Sequence, residues 1–203
     1  MNYRLAYALG FHPWEDLADH PPFADKLLEL IGREEKGNGP PHGRALDLGT
    51  GSGVWAVALA KRGWQVTGAE FVDRALARAR ERIVEERVEL RLVHADVTAL
   101  SEVDVGSGYR LLVDTGTFHG LNDDERRAMA RSVTAVAAPD AALILDCFEP
   151  HWRGPLPRGA SRKDVEEVFE DWAVTDVAVA DSDPDPLARV ARFNERFYVL
   201  RRA

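Results

Sequence analysis

Residues 45–53 read Ala45-Leu46-Asp47-Leu48-Gly49-Thr50-Gly51-Ser52-Gly53, an apolar run that breaks into three alternating glycines. The run from Arg44 to Leu48 has the character of a strand buried on both faces of a parallel sheet. Glycine at alternate positions lets the backbone turn sharply and approach a ligand where a Cβ would collide. Val54 to Ala60 then reads as a helix fed by that turn. Strand, glycine turn and helix open a doubly wound α/β sheet, which takes its ligand beyond the carboxyl ends of its strands.

The spacing narrows the ligand. A dinucleotide fingerprint, G-x-G-x-x-G, would put its third glycine at Val54, but Gly53 comes one position earlier. The frame is D-x-G-x-G-x-G, built on Asp47, Gly49, Gly51 and Gly53. Gln65 to Glu70 is the next strand. Its last residue stands about 20 positions past the glycine turn, where such sheets carry an acidic group for ribose hydroxyls. An ionised carboxylate offers two oxygens to the two hydroxyl donors. A glutamate merely facing solvent at a strand end is the bland alternative.

Downstream, Asp73 to Glu86 reads as a helix with Leu76, Ala79 and Ile83 on one face, and Val88 to His94 alternates as a strand ending in Ala95-Asp96-Val97. Tyr109 to Val113 is a fourth strand, leading into Asp114-Thr115-Gly116-Thr117-Phe118-His119. Asn122 to Ala137 is a helix with Asn122 as N-cap and Glu125 three residues on. Ala141 to Cys147 is a fifth strand, and His151 to Gly159 is irregular. Ser161-Arg162-Lys163-Asp164 is a capping-box start for a helix to Glu170. Trp172 to Ala180 and Ala191 to Leu200 form a closing antiparallel pair around a turn at 181–186.

Upstream, residues 2 to 35 lie outside the sheet pattern. Pro21-Pro22 breaks the chain, Phe23 to Ile31 reads as a helix, and Gly37 to Gly43 is a loop. The expected organisation is one domain over 1–203, with a short N-terminal helical cap or lid over 1–36 and a core over 44–203. Trp14 serves either the packing of the cap or a lid over the ligand.

The 203 residues carry a net charge of -8, with 45% hydrophobic and 30% charged residues. That balance disfavours a nucleic-acid or anionic-membrane surface, which needs clustered Lys and Arg. The arginines from Arg74 to Arg87 alternate with Glu81, Glu85 and Glu86, as on a solvated helix face. Cys147, the single cysteine, falls in an apolar run and reads as a buried small hydrophobe rather than a nucleophile. No signal peptide and no membrane-length apolar stretch is evident, so a cytoplasmic protein is expected, as monomer or homodimer.

The frame Asp47 to Gly53, with the seven strands and the closing pair, resembles the class I S-adenosylmethionine-dependent methyltransferases from Arg44 to the end of the chain. The run Val113 to Leu121 and the segment Pro13-Trp14-Glu15 are similar to a small-molecule branch that includes thiopurine and tellurite-resistance enzymes. The resemblance implies a seven-stranded, mostly parallel, Rossmann-like sheet with an antiparallel last strand. It implies S-adenosylmethionine as cofactor, no metal, and a small-molecule acceptor. Asp47, Gly49, Thr50, Gly51, Gly53, Glu70, Phe71, Asp96, Val97, Asp114 and Trp14 would line the cofactor. Glu70 would serve the ribose, Phe71 and Asp96 the adenine, and Asp114 the amino-acid end. A cap on the turn at 98–100 is the bland alternative for Asp96. His119 is the candidate base, or else a loop hydrogen-bonding residue. His12, His151 and Trp152 would border the acceptor, and Trp14 and Trp152 would supply apolar walls or cation–π contact. The implied chemistry is in-line attack on a sulfonium methyl by an O, N, S or halide or chalcogen nucleophile. A non-catalytic S-adenosylmethionine-binding module and a nicotinamide dehydrogenase remain as other readings, the latter disfavoured by Val54.

Overall fold

The computed structural model describes residues 21–37, 39–151, 157–180 and 195–203. His12, Trp14, Trp152 and the first 20 residues of the cap expected over 1–36 lie outside the described residues.

Seven strands form one sheet: β1 (Arg44–Leu48), β2 (Gln65–Glu70), β3 (Arg91–His94), β4 (Tyr109–Thr115), β5 (Ala137–Phe148), β6 (Trp172–Val179) and β7 (Glu195–Arg202). Their order is β3-β2-β1-β4-β5-β7-β6. The first five pair in parallel, and β7 runs antiparallel to both β5 and β6. The winding reverses between β1 and β4, where Leu48 stands opposite Asp114. This switch point opens a crevice at the carboxyl ends of the strands. The doubly wound, mostly parallel sheet expected from the glycine turn is the observed fold.

Helices α1 (Pro21–Glu35), α2 (Val54–Lys61), α3 (Asp73–Glu86), α4 (Asp123–Val136) and α5 (Arg162–Val168) cover the sheet. Strand side chains alternate between two apolar layers. On one face Ala45, Val113, Ile144 and Phe197 pack with Phe23 and Leu27 of α1 and Trp55 and Leu59 of α2. On the other, Leu46, Leu112, Leu145 and Leu200 pack with Met129 and Val133 of α4 and Val165 of α5. No helix among the described residues is long and apolar enough to cross a membrane.

The structure departs from the sequence reading at the start of α1, of β3 and of β5. Pro21 and Pro22 begin α1 rather than break the chain before it, because a first-turn proline has no intrahelical N–H bond to lose. β3 starts at Arg91, not Val88. Arg87 ends α3 in the left-handed region (φ 54), and the chain needs three more residues to reach the ladder of β2. β5 starts at Ala137, four residues early. The closing antiparallel pair expected at one sheet edge is observed, with β7 between β5 and β6 and β6 at the edge. The burial explains that order: Phe197, Tyr198, Val199 and Leu200 are all buried, as a central strand requires, whereas most of β6 is not.

Both capping boxes are present. Asn122 accepts from the Glu125 N–H at 3.0 Å while Glu125 accepts from the Asn122 N–H at 2.8 Å. Ser161 Oγ accepts from the Asp164 N–H at 3.1 Å, and Asp164 accepts from the Ser161 N–H at 2.7 Å. Ser161→Ala is expected to lower unfolding stability by about 1 kcal/mol, read as a shift of the urea midpoint with unchanged slope.

Candidate functional site

The glycine turn is held from three directions. The Thr50 N–H donates to the Ala69 carbonyl at 2.9 Å, the Thr50 hydroxyl donates to Asp47 Oδ2 at 2.5 Å, and Arg82 Nε of α3 donates to the Ser52 carbonyl at 3.0 Å. Gly49, Gly51 and Gly53 all have positive φ (68°, 55° and 79°), a region costly for any residue with a Cβ. At Gly49 a Cβ would also lie 2.2 Å from Thr117 Oγ1 in the loop after β4.

Glu70 is 5% exposed and bonded to that turn. Its Oε2 accepts from the Gly51 N–H at 3.0 Å, and its Oε1 accepts from the Phe71 and Val72 N–H groups, each at 2.8 Å. Burial pushes its pKa up, against those three donors and the nearby His94. The Ala95 N–H donates to the Glu70 carbonyl at 3.0 Å, which brings the end of β3 alongside. There Val97 is buried, whereas Asp96 is exposed and its Oδ1 accepts from the Thr98 N–H (2.9 Å) and hydroxyl (2.7 Å). Asp96 thus holds the turn at 98–100, the second of the roles its sequence position suggested. Phe71 is half-buried against Val72 and Ala75.

Asp114 at the end of β4 is fully buried and caps the following turn, with Oδ1 accepting from the Thr117 N–H at 2.9 Å and Oδ2 from the Phe118 N–H at 2.8 Å. Asp47 is 1% exposed. The Ala56 N–H is near enough to favour its charged form but does not reach hydrogen-bond geometry with Oδ1, which has no partner. Burial pushes Asp47 up to about 7, with Asp114 and Glu70 adding repulsion, and burial pushes Asp114 up to about 6.

Because folding raises both pKa values, each carboxyl favours the folded state when protonated. That contribution is full below the ordinary value of 3.8 and is lost as pH rises through about 6 and about 7. The ligand-free protein is therefore expected to melt at falling temperature from about pH 4 to about pH 7, with Asp47→Asn flattening the upper part of the slope. A melting temperature that climbs across this interval contradicts the assignment.

His119 is buried in the turn after β4 and stacks on Phe148, with ring centroids 4.5 Å apart. The Phe148 N–H donates to His119 Nδ1 at 3.2 Å. A backbone N–H can only donate, so the neutral ring carries its proton on Nε2. The base role expected of His119 does not fit this tautomer. Its basic lone pair is already taken, and the other nitrogen is a donor. Buried Arg126, which the sequence reading missed, fixes this turn: Nη2 donates to the carbonyls of His119 (3.1 Å) and Gly159 (2.6 Å), and Nε to that of Phe118 (3.3 Å). Among the acceptor-side residues, His151 is exposed and its N–H donates to the Arg158 carbonyl at 3.1 Å.

The strand ends therefore gather Asp47, Gly49, Thr50, Gly51, Gly53, Glu70 and Asp114 around one crevice. Three further polar residues there were not singled out in the sequence. Thr117 touches Gly49. Ser52 has a buried Oγ without a partner. Asp146, at the end of β5, has two buried carboxyl oxygens without partners. A charge inside the apolar run 141–148 was the available signal for Asp146.

Residues 45–140 match the methyltransferase domain family. A 2-heptyl-1-hydroxyquinolin-4(1H)-one methyltransferase of Mycobacteroides abscessus is 29% identical over 178 residues, covering 82% of this chain and 74% of that protein. Among solved structures, the 1,6-didemethyltoxoflavin-N1-methyltransferase of Burkholderia thailandensis superposes with a TM-score of 0.74 at 19% identity, over 100% of this chain and 86% of its own. TehB of Haemophilus influenzae superposes at 0.64 and 14% identity, over 86% and 62%. At these identities the superpositions speak for the fold. The glycine turn, the acidic end of β2 and the switch point between β1 and β4 all lie inside the stretch that matches the methyltransferase domain family.

Proposed function

We propose that the crevice binds S-adenosylmethionine across the ends of β1, β2 and β4 and presents its methyl group to a small-molecule acceptor. The observation that carries this is the hydrogen bond from the Gly51 N–H to Glu70 Oε2. It joins the glycine turn to the acidic end of β2 in one rigid unit before any ligand arrives. Ser52 Oγ and Asp47 Oδ1, both buried without partners beside the turn, fit a ligand that offers polar atoms there, since such groups are costly to leave unpaired.

When bound, S-adenosylmethionine supplies a methyl group already activated by its positive sulfur. The chain's task is then to position and to exclude water. Glu70 receives the ribose hydroxyls while keeping its backbone donors, since each carboxylate oxygen accepts more than one bond. Phe71 and Val97 flank the adenine, with Asp96 at its rim. Asp114 holds the turn that carries His119 beside the amino-acid end. His119, with its proton on Nε2, donates a hydrogen bond rather than removing a proton. The acceptor side lies beyond β4 and β5, toward His151; the roles expected of His12, Trp14 and Trp152 rest on the sequence alone, since these residues lie outside the described ones. The relatives' names, which concern a hydroxyquinolone and a toxoflavin precursor, support a small heteroaromatic acceptor.

Calorimetry with S-adenosylhomocysteine is expected to give one site per chain. Incubation with S-adenosylmethionine and a panel of phenols, heterocycles, amines and thiols is expected to yield a product heavier by one methyl in the mass spectrum. No heat of binding would remove the proposal.

A further inference from the structure

Asp146 is out of place in β5. The strand is apolar on either side of it, yet Asp146 is 1% exposed and neither oxygen has a hydrogen-bond partner. A buried polar group left unpaired costs about 1–3 kcal/mol, and an unpaired charge more. The fold gains nothing from a carboxyl here, so its use lies in what it meets when the site is filled.

Its position says where that is. Asp146 stands opposite Thr115, the last residue of β4, and opposite Phe197 on β7. Opposed residues in a ladder share a face, and every second residue returns to it. Glu195, two positions from Phe197, therefore lies on the face of Asp146, at the same end of the sheet. The titratable groups that bear on Asp146 are Glu195 from β7 and Asp114 from β4, both acidic. Arg196 does not neutralise them, because its guanidinium is engaged by Glu149, with Nε 2.8 Å from Oε1. Burial and repulsion push Asp146 well above the usual carboxylate range, and burial pushes Glu195 up to about 7. A buried carboxyl and a half-buried one that oppose each other's ionisation keep one proton between them and carry one negative charge.

We propose that the Asp146–Glu195 pair takes the proton of the methyl acceptor, so that the acceptor is a neutral small molecule bearing an N–H or O–H on its nucleophilic atom. This rests on the methyltransferase reading above. As the bond from that atom to the methyl carbon forms, the carbon–sulfur bond breaks and its electron pair stays on sulfur. The N–H or O–H electrons stay on the acceptor atom, and the proton passes to the pair, which then holds two. Exchange with water returns the pair to one proton after the methylated product leaves. A halide or thiolate needs no such group and is repelled by it. The buried negative charge thus selects against anionic acceptors.

The test compares the wild-type protein with Asp146→Asn and Glu195→Gln. The acceptor probes are a 1-hydroxyquinolin-4-one and a 4-quinolone, with iodide as an acceptor that has no proton to lose. Both variants are expected to bind S-adenosylhomocysteine as the wild type does and to melt no lower. They should lose about 100-fold or more in transfer to the proton-bearing probes. Wild-type transfer is expected to fall as pH drops through the range in which the pair takes a second proton, and the variants lose that limb. Transfer in both variants within about threefold of wild type overturns the proposal. So does a wild-type protein that binds S-adenosylhomocysteine yet methylates neither proton-bearing probe. A wild-type protein that does not bind S-adenosylhomocysteine overturns instead the reading on which this one rests.

Discussion

Gly49→Ala is expected to unfold the site and much of the domain's margin of stability with it. The residue has φ 68°, and its new Cβ would sit 2.2 Å from Thr117 Oγ1. The left-handed backbone alone costs about 1–2 kcal/mol for a residue with a Cβ. Forcing the loop after β4 away from β1 adds about 1–3 kcal/mol, typical of overpacking. The sum is a large share of the roughly 5–15 kcal/mol that hold a domain together. The two parts are separable. Thr117→Ala removes the clashing oxygen and leaves only a Cβ at 3.4 Å, an ordinary contact. The double variant is therefore expected to recover the steric part while keeping the backbone part. Urea unfolding of the two single variants and the double variant measures both. A Gly49→Ala protein within about 0.5 kcal/mol of wild type would contradict the geometry.

Glu70→Gln is expected to weaken S-adenosylhomocysteine binding by about 10- to 100-fold, or about 1.4–2.8 kcal/mol, in line with hydrogen bonds to a charged group. The wild-type carboxylate accepts from Gly51 on one oxygen and from Phe71 and Val72 on the other. An amide has one acceptor oxygen, so its NH2 must face one of these N–H donors. The glycine turn then loses its tether or the β2 end loses its cap, and in either case the ribose meets a poorer acceptor. Calorimetry gives the affinity, and circular dichroism checks that the sheet persists. Unchanged affinity would mean that Glu70 serves only to brace the turn.

Much of this was readable along the chain because it is local. The glycine spacing at 49–53, the apolar run before it, the acidic end of β2 and both capping boxes each depend on residues within one turn or one strand. Backbone stereochemistry and short-range hydrogen bonding act at that range, so the class of fold, the place of the crevice and the pairing of Ser161 with Asp164 follow from residue order.

Contacts between distant residues decided the rest. The sequence presents the glycines as room for a ligand. The structure adds that Gly49 makes room for Thr117, 68 positions away, and only the β1–β4 pairing brings the two together. His119 is a candidate base by its place just beyond β4; the Phe148 N–H, reaching its Nδ1 from β5, leaves the ring's proton on Nε2. Asp96 showed two uses, and the position of Thr98 filled one. The last strand's place inside the sheet, and with it the meeting of Asp146 and Glu195, depends on which of two strands can bury both faces. Residue order sets propensities and local bonds, but the state of a proton and the partner of a buried charge belong to the packed molecule, where desolvation and neighbours from other strands act together.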